Sequence, residues 1–192
     1  MESKSAEVNG IRMRWEEQGE GEPVVLVHGI PTSPRLWRHV MPRLRGARAF
    51  AWEMVGYGAS IPEGRGRDIS VARQAEYLAT WMRAIGLDRA VLVGHDLGGG
   101  VAQIVAVQHH ELVRGLVLMN AIAYDSWPIP SVKAMQALGP LVERLPKGVF
   151  RLIASCSSCR AMTILPVPGR PWRRTGRIMR RMVPPRSSGR CA

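Results

Sequence analysis

The most constraining feature of this sequence is the stretch VLVGHDLGGG at residues 91–100. An apolar run of the kind found in buried strands breaks at Gly94, and three consecutive glycines follow shortly after Asp96. This order predicts a strand, a sharp turn and a helix, with Gly94 and Gly98 framing Asp96. Small residues at these two positions are typical of a nucleophile elbow, which more often carries serine at its centre. We therefore expect the Asp96 carboxylate at the top of a sheet, above the start of a helix.

Buried strands are predicted at four places, because each carries a short apolar run bounded by turn residues. These places are residues 24–27, 49–52, 90–93 and 116–119. A helix is predicted from a cap at Ser70 to Gly86, and another helix follows the turn at Asp96. The alternation of strands and helices over residues 24–119 predicts an α/β fold, with a parallel sheet covered by helices on both faces.

Two further local patterns lie before residue 50. Asn9-Gly10 separates two short alternating runs, which predicts a hairpin of two antiparallel edge strands. Apolar residues also recur at spacings of three and four, which predicts a short amphipathic helix. The residues of this second pattern are Trp37, Val40, Met41 and Leu44.

Parallel sheets collect reactive groups beyond the carboxyl ends of their strands. The segments expected there are residues 28–31, residues 53–60, Asp96 and residues 120–124. Asp96 has a structural alternative, because aspartate is a favoured N-cap that the helix dipole stabilises. The glycines on either side of it favour the catalytic interpretation over the capping one.

Charge is distributed unevenly along the chain. The formal net charge is +12, but residues 154–192 contain nine arginines, no lysine and no acidic residue, which leaves +3 for residues 1–153. The same segment has five prolines and no sustained strand or helix period, so we expect an Arg/Pro-rich disordered tail. The alternative is a phosphate-binding segment around Trp172, whose contacts would depend on salt. We expect a solvated end and no specific nucleic-acid partner.

Cysteine placement and apolar run length exclude several classes of protein. Cys156, Cys159 and Cys191 all lie in the tail, so the globular part has no disulfide framework. Cys156-x-x-Cys159 lacks a second pair of ligands, and we expect neither a metal site nor a cofactor. The first residues lack a secretory signal, and no apolar run reaches the roughly 20 residues that span a bilayer. A soluble cytoplasmic protein without membrane contact is expected.

Three stretches of the chain resemble the α/β-hydrolase fold family, in the branch of epoxide hydrolases and haloalkane dehalogenases. They are VVLVHGIP at residues 24–31 with Trp37 beyond it, GYGAS at residues 56–60, and GHDLG at residues 94–98. The resemblance covers residues 8–153. The organisation it implies is a core at residues 1–120, the start of a helical lid at residues 121–153, and a sheet truncated before the family's last strands.

The resemblance also implies a reaction. Asp96 is the nucleophile, which attacks an sp3 carbon and forms an alkyl ester, whereas serine attacks carbonyl carbons. The backbone N–H groups of Ile30 and Leu97 are the oxyanion hole used when water hydrolyses that ester. The implied substrate is a small epoxide or alkyl halide. An epoxide hydrolase is the closer parallel, because Leu97 has no side-chain donor for a halide where dehalogenases usually carry Trp. A haloalkane dehalogenase-like activity is the alternative.

The family completes its site with an acid and a C-terminal histidine, and this sequence shows no match for either. No histidine follows His110, and Asn120 occupies the place where some dehalogenases carry Glu. We expect His109 and His110 to face solvent and Tyr124 to lie at the hinge of the lid. One interpretation is a shortened, non-catalytic or non-hydrolytic member of the fold. The other, which we favour, is a shift of reading frame near residue 154.

Overall fold

The computed structural model describes residues 1–123, in which six strands form one sheet. The strands are β1 (Glu2–Val8), β2 (Ile11–Gln18), β3 (Glu22–Val27), β4 (Ala47–Trp52), β5 (Ala90–His95) and β6 (Val113–Met119). Their order across the sheet is β1-β2-β4-β3-β5-β6. β2 pairs antiparallel with β1 and β4, and the other pairs are parallel. The predicted α/β class with a mostly parallel sheet is confirmed.

Two α-helices accompany the described sheet, α1 (Val71–Ala84) and α2 (Leu97–Gln108). α1 begins after Ser70, whose hydroxyl oxygen accepts a hydrogen bond from the Arg73 N–H at 3.3 Å. It ends before Gly86, which takes the positive φ of 73° that favours glycine after a helix. Both helices were expected from the sequence and both are confirmed.

The helix predicted from Trp37 to Leu44 is wrong. Pro34–Trp37 and Met41–Arg43 instead form two separate 3-10 turns. Pro42 accounts for the difference, because its nitrogen has no proton to donate and its ring would clash with the preceding turn of a continuing helix. The remaining 3-10 turns of the described residues are Gly58–Ser60, Pro62–Gly64 and His110–Leu112.

Both faces of the central strands are buried. On one face the two 3-10 turns after β3 contribute to a hydrophobic cluster that consists of Val24, Leu26, Trp37, Met41, Ala47, Ala49 and Ala51. On the other face Trp81 of α1 packs edge-on against Phe50 and Trp15 and lies beside Trp52. The apolar runs of β3 and β4 therefore reflect burial on two sides, as predicted.

The hairpin of β1 and β2 turns at Asn9 and Gly10, which have positive φ values of 51° and 71°. The turn is confirmed, but the prediction that both strands are edge strands is wrong for β2. β2 also pairs with β4, where Trp15 lies opposite Trp52. An alternating pattern indicates a half-buried strand but carries no information on which strands lie beside it.

β6 is the other edge of the described sheet and pairs with β5. Four of its apolar residues are 39–44% exposed, namely Leu116, Val117, Leu118 and Met119. Among residues 1–123, no further strand pairs with the outer edge of β6.

The predicted lid at residues 121–153 lies outside the described residues from residue 124 onward. The tail at residues 154–192, Tyr124 and the three cysteines also lie outside them. Within residues 1–123, no helix is long and apolar enough to cross a membrane. In the same part of the chain, no three His, Cys, Asp or Glu side chains are grouped so that they could hold a metal ion.

Candidate active site

Three strand ends meet at one edge of the sheet and bring together residues that are distant in sequence. β3 lies between β4 and β5, and Val27 at its end pairs with Trp52 on one side and Gly94 on the other. The loops that follow these strands therefore begin side by side. They start at His28, Glu53 and Asp96.

Asp96 lies in a sharp turn between β5 and α2, with φ 52° and ψ −120°. A positive φ is strained for a residue with a side chain and costs on the order of 1–3 kcal/mol, so the surroundings must hold it. A Cβ on Gly94 would lie 2.5 Å from Gly99 Cα, and a Cβ on Gly98 would collide with carbonyl oxygens at the end of β3. The two glycines of the sequence motif therefore have a steric reason.

The Asp96 carboxylate faces the loop after β3. Its Oδ2 accepts a hydrogen bond from the Ile30 N–H at 2.9 Å. Gly29 allows this approach, because a Cβ there would lie 2.5 Å from the same oxygen. Asp96 occupies the N-cap position of α2 but makes no side-chain hydrogen bond to the helix. The carboxylate is thus directed away from the capping role that the sequence left open.

The backbone N–H of Leu97 directly follows Asp96 in the chain. Leu97 is the first residue of α2, so its N–H has no acceptor within the helix, and the helix dipole places partial positive charge at this end. Its side chain is buried and aliphatic. Asp96 thus adjoins Ile30 through a hydrogen bond and Leu97 through the chain, while the catalytic roles assigned to the three residues stay predictions.

His28 connects the loop after β3 to the loop after β4. Its Nδ1 donates to the Gly29 carbonyl at 2.9 Å, and its Nε2 accepts the Met54 N–H at 3.2 Å. Since the Nε2 atom accepts, the ring is in its neutral form with the proton on Nδ1. Burial lowers the pKa of His28 to about 4, against the partly opposing hydrogen bond to Gly29. Both ring nitrogens are used in holding the backbone beside Ile30.

Glu53 holds the loop after β4, and the sequence assigned it no role. Its carboxylate is buried and accepts the Ala59 N–H at 3.0 Å and the Ser60 hydroxyl at 2.9 Å. A Cβ on Gly58 would collide with the same carboxylate. The loop therefore wraps closely around Glu53. The available signal was an acidic residue directly after an apolar strand.

Tyr57 in the same loop is half-buried, and its ring lies edge-on to His28 with the centroids 6.1 Å apart. Burial and, after it, the negative charge of Asp96 raise the pKa of the Tyr57 phenol. The sequence placed Tyr57 in a predicted site loop, and the GYGAS motif was its only signal.

The other histidines have separate environments. His39 and His110 are exposed, as the sequence predicted for His110. The prediction is wrong for His109, which is 17% exposed and contacts Glu76 Oε1 at 3.2 Å. Arg83 lies 3.3 Å from its other ring nitrogen. Nothing in the sequence around His109 indicated that it would contact Glu76 and Arg83 of α1.

His95 and Asn120 complete the residues considered from the sequence. The Nδ1 atom of His95 is buried and has no hydrogen-bond partner among residues 1–123. Asn120, at the end of β6, is exposed and has a positive φ of 46°. Within the described part of the chain, the hydrogen bond that the Asp96 carboxylate accepts comes from Ile30 rather than from a histidine.

A mostly parallel sheet with a strained acidic elbow at a strand end defines a class of α/β enzyme fold. The chain belongs to the α/β hydrolase fold family, whose model matches residues 22–165. It is 39% identical over 127 residues to a haloalkane dehalogenase from Sphingobium indicum, covering 64% of this chain and 43% of that protein. It is 32% identical over 131 residues to bifunctional epoxide hydrolase 2 from Rattus norvegicus, covering 67% of this chain and 23% of that protein.

Among solved structures, an α/β hydrolase fold protein from Burkholderia ambifaria is similar with a TM-score of 0.74 at 28% identity. That likeness covers 80% of this chain and 57% of the other. The matched region spans less than half the length of each of these two enzymes, the haloalkane dehalogenase and the bifunctional epoxide hydrolase.

Proposed function

We propose that Asp96 attacks an sp3 carbon of a small epoxide and forms an alkyl ester with it. One carboxylate oxygen forms the new C–O bond, the ring C–O bond breaks, and the released alkoxide takes a proton from water. The observation that carries the proposal is the hydrogen bond from Ile30 N–H to Asp96 Oδ2, made by a carboxylate in a strained turn that does not cap its helix. That bond leaves the second carboxylate oxygen, Oδ1, for the attack.

The N–H groups of Ile30 and Leu97 are proposed as donors to the oxyanion that forms when the ester carbonyl is attacked. Preorganised backbone donors are effective in this role, because they need no rearrangement as charge develops. Leu97 supplies an N–H at the positive end of α2, and Ile30 supplies one that already contacts the carboxylate. The Ile30 donor therefore serves both the resting carboxylate and the later intermediate, and the Leu97 donor joins it in the intermediate.

Hydrolysis of the ester needs a general base that activates water. The five histidines of the 192-residue chain are His28, His39, His95, His109 and His110. Both nitrogens of His28 are bound to backbone groups, and His109 is held by α1. We propose that the ester formed by this chain persists, so that the reaction stops after one alkylation per molecule.

An alkyl halide is the second candidate substrate class, because a haloalkane dehalogenase is among the relatives. A departing halide is stabilised by side-chain donors. Leu97 and Ile30, the residues that adjoin Asp96, have aliphatic side chains. An epoxide needs a proton at its leaving oxygen instead, which water supplies. The aliphatic pair therefore favours the epoxide.

Intact-mass measurement after incubation with 1,2-epoxybutane or 1-bromobutane tests both candidates, because the epoxide adduct retains an oxygen atom that the bromide adduct lacks. We expect one epoxide adduct per chain, mapped to the peptide containing Asp96, and slower labelling by the bromide. Asp96→Asn should remove the adduct, and Asp88→Asn, which changes an exposed aspartate before β5, should not. Equal labelling of the two variants would contradict the proposal.

A further inference from the structure

The chain segment after β6 folds back onto the elbow. Asp96 N–H donates to the Met119 carbonyl at 3.2 Å, and the Ile122 N–H donates to the Asp96 carbonyl at 3.2 Å. The strained residue is therefore bound through its N–H by the last residue of β6 and through its carbonyl by a residue that follows β6. A third backbone bond, from the Gly99 N–H to the Asp96 carbonyl at 3.0 Å, comes from α2 itself.

Gln103, two turns into α2, secures this segment. Its Nε2 donates to the Ile122 carbonyl at 2.8 Å and to the Gly99 carbonyl at 3.1 Å. A side-chain amide nitrogen has two protons, so both donors are used. The half-buried Gln103 thus ties residue 122 to the first turn of α2, where Gly99 also contacts the elbow.

The glycines at the start of α2 make room for this arrangement. A Cβ on Gly99 would collide with the Ala121 side chain, and a Cβ on Gly100 would lie 2.8 Å from Ile122 Cγ1. The close approach shortens the distance that the Gln103 side chain has to bridge. Gly99 and Gly100 therefore make room for residues 121 and 122, whereas Gly94 and Gly98 make room for the close packing around the turn at Asp96.

We propose that Gln103 is a positioning residue for Asp96. By holding the Ile122 carbonyl it keeps the Ile122 N–H on the Asp96 carbonyl, which fixes the strained backbone and aims the carboxylate at Ile30. Gln103 does not touch the substrate. The expected effect on the labelling rate rests on the proposed alkylation of Asp96. The expected effect on the backbone at Ile122 can be measured without that reaction.

The kinetic test compares Gln103→Met with Gln108→Met, a matched control at the exposed end of the same helix. We expect Gln103→Met to lower the first-order rate constant of labelling at saturating 1,2-epoxybutane about tenfold. The half-saturating epoxide concentration should stay within about twofold, and the control should match the unmodified chain. Equal rate constants in the two variants would overturn the proposal. So would a smaller labelled fraction at an unchanged rate constant, because that result indicates partial unfolding alone.

The backbone test is amide hydrogen exchange at Ile122, which needs no reaction. In the unmodified chain this amide should be protected, and Gln103→Met should accelerate its exchange at least about tenfold while leaving Val105 in α2 unchanged. A rapidly exchanging Ile122 amide in the unmodified chain would overturn the proposed positioning role of Gln103, even if the variant does not fold. If the unmodified chain is not labelled at all, the proposed function fails. In that case, an Ile122 amide that is protected in the unmodified chain and exchanges faster in Gln103→Met still supports the role of Gln103 in holding the backbone.

Discussion

The carboxylate of Asp96 accepts a hydrogen bond from the backbone N–H of Ile30, a residue 66 positions earlier in the chain, at 2.9 Å. This contact joins the ends of β3 and β5 across the top of the sheet. It depends on a loop held by His28, on a glycine at position 29, and on a strained turn at Asp96. Substitution of Gly29 and protonation of His28 are therefore both expected to have measurable effects.

Gly29→Ala should separate the reactivity of Asp96 from the stability of the fold. The added methyl group would lie 2.5 Å from Asp96 Oδ2 and must displace the carboxylate. Because a displacement of about 1 Å can cost a hundredfold in rate, epoxide labelling should slow by about that factor. Gly115→Ala is the control, since a Cβ there meets its nearest neighbour at 3.8 Å. Labelling of Gly29→Ala at the rate of the control would contradict the proposed position of the nucleophile.

The stability of the protein should fall between pH 6.5 and pH 4 because of His28. Burial lowers the folded-state pKa of His28 to about 4 from the ordinary 6.5, so the unfolded chain takes up a proton first as the pH falls. The resulting loss in the free energy of unfolding is on the order of 3 kcal/mol once the pH is below 4, and there is no loss above about pH 7. Urea unfolding at a series of pH values measures it. His28→Gln, which does not titrate, should show a shallower slope over this window, and an unchanged slope would assign the effect elsewhere.

Removal of the charge on Asp96 should lower the pKa of Tyr57. Burial raises the pKa of this phenol first and the Asp96 carboxylate raises it further, so Asp96→Asn should move the titration toward the ordinary value. Ultraviolet absorbance during an alkaline titration follows the phenolate. Tyr57→Phe identifies which part of the signal belongs to Tyr57, because the chain has three tyrosines. An identical titration with and without the Asp96 charge would show that the two groups lie out of electrostatic range.

Glu53 and Ser60 should be energetically coupled. The Ser60 hydroxyl donates to Glu53 Oε2 at 2.9 Å in a buried setting, and hydrogen bonds to charged groups contribute about 1.5–3 kcal/mol. A double-mutant cycle with Glu53→Gln and Ser60→Ala, followed by urea unfolding, should give a coupling of about 1–3 kcal/mol. Additive losses would mean that the loop is held by other contacts, such as the bond from Ala59 N–H.

Local signals in the sequence were sufficient for most of the described secondary structure. Apolar runs located β3 to β6, Ser70 and Gly86 marked the ends of α1, and Asn9-Gly10 marked the hairpin turn. The prediction failed at residues 37–44, where helical spacing continued across Pro42 and the structure forms two 3-10 turns. Spacing records which side chains face the core, and both a helix and a pair of tight turns can satisfy it.

The sequence could predict the turn that carries Asp96, but it could not predict the residues that hold the surrounding loops in place. Gly94, Asp96 and Gly98 lie within one five-residue stretch, so a sequence motif could identify them. Glu53, Tyr57 and Gln103 could not be assigned in this way, because the residues that they contact are brought near only by the fold. His109 illustrates the same difficulty, since its partners Glu76 and Arg83 lie on a different helix.

The sequence by itself determined the order of strands and helices and the residue in the elbow, because apolar periodicity and glycine spacing act over a few neighbouring positions. Only the tertiary structure decided that Ile30 binds Asp96, that His28 holds the Met54 backbone, and that Gln103 holds Ile122. Those contacts join residues 66, 26 and 19 positions apart. They depend on the parallel register of β4, β3 and β5, on the path of the chain after β6 and on one strained φ angle, which no short stretch of sequence specifies.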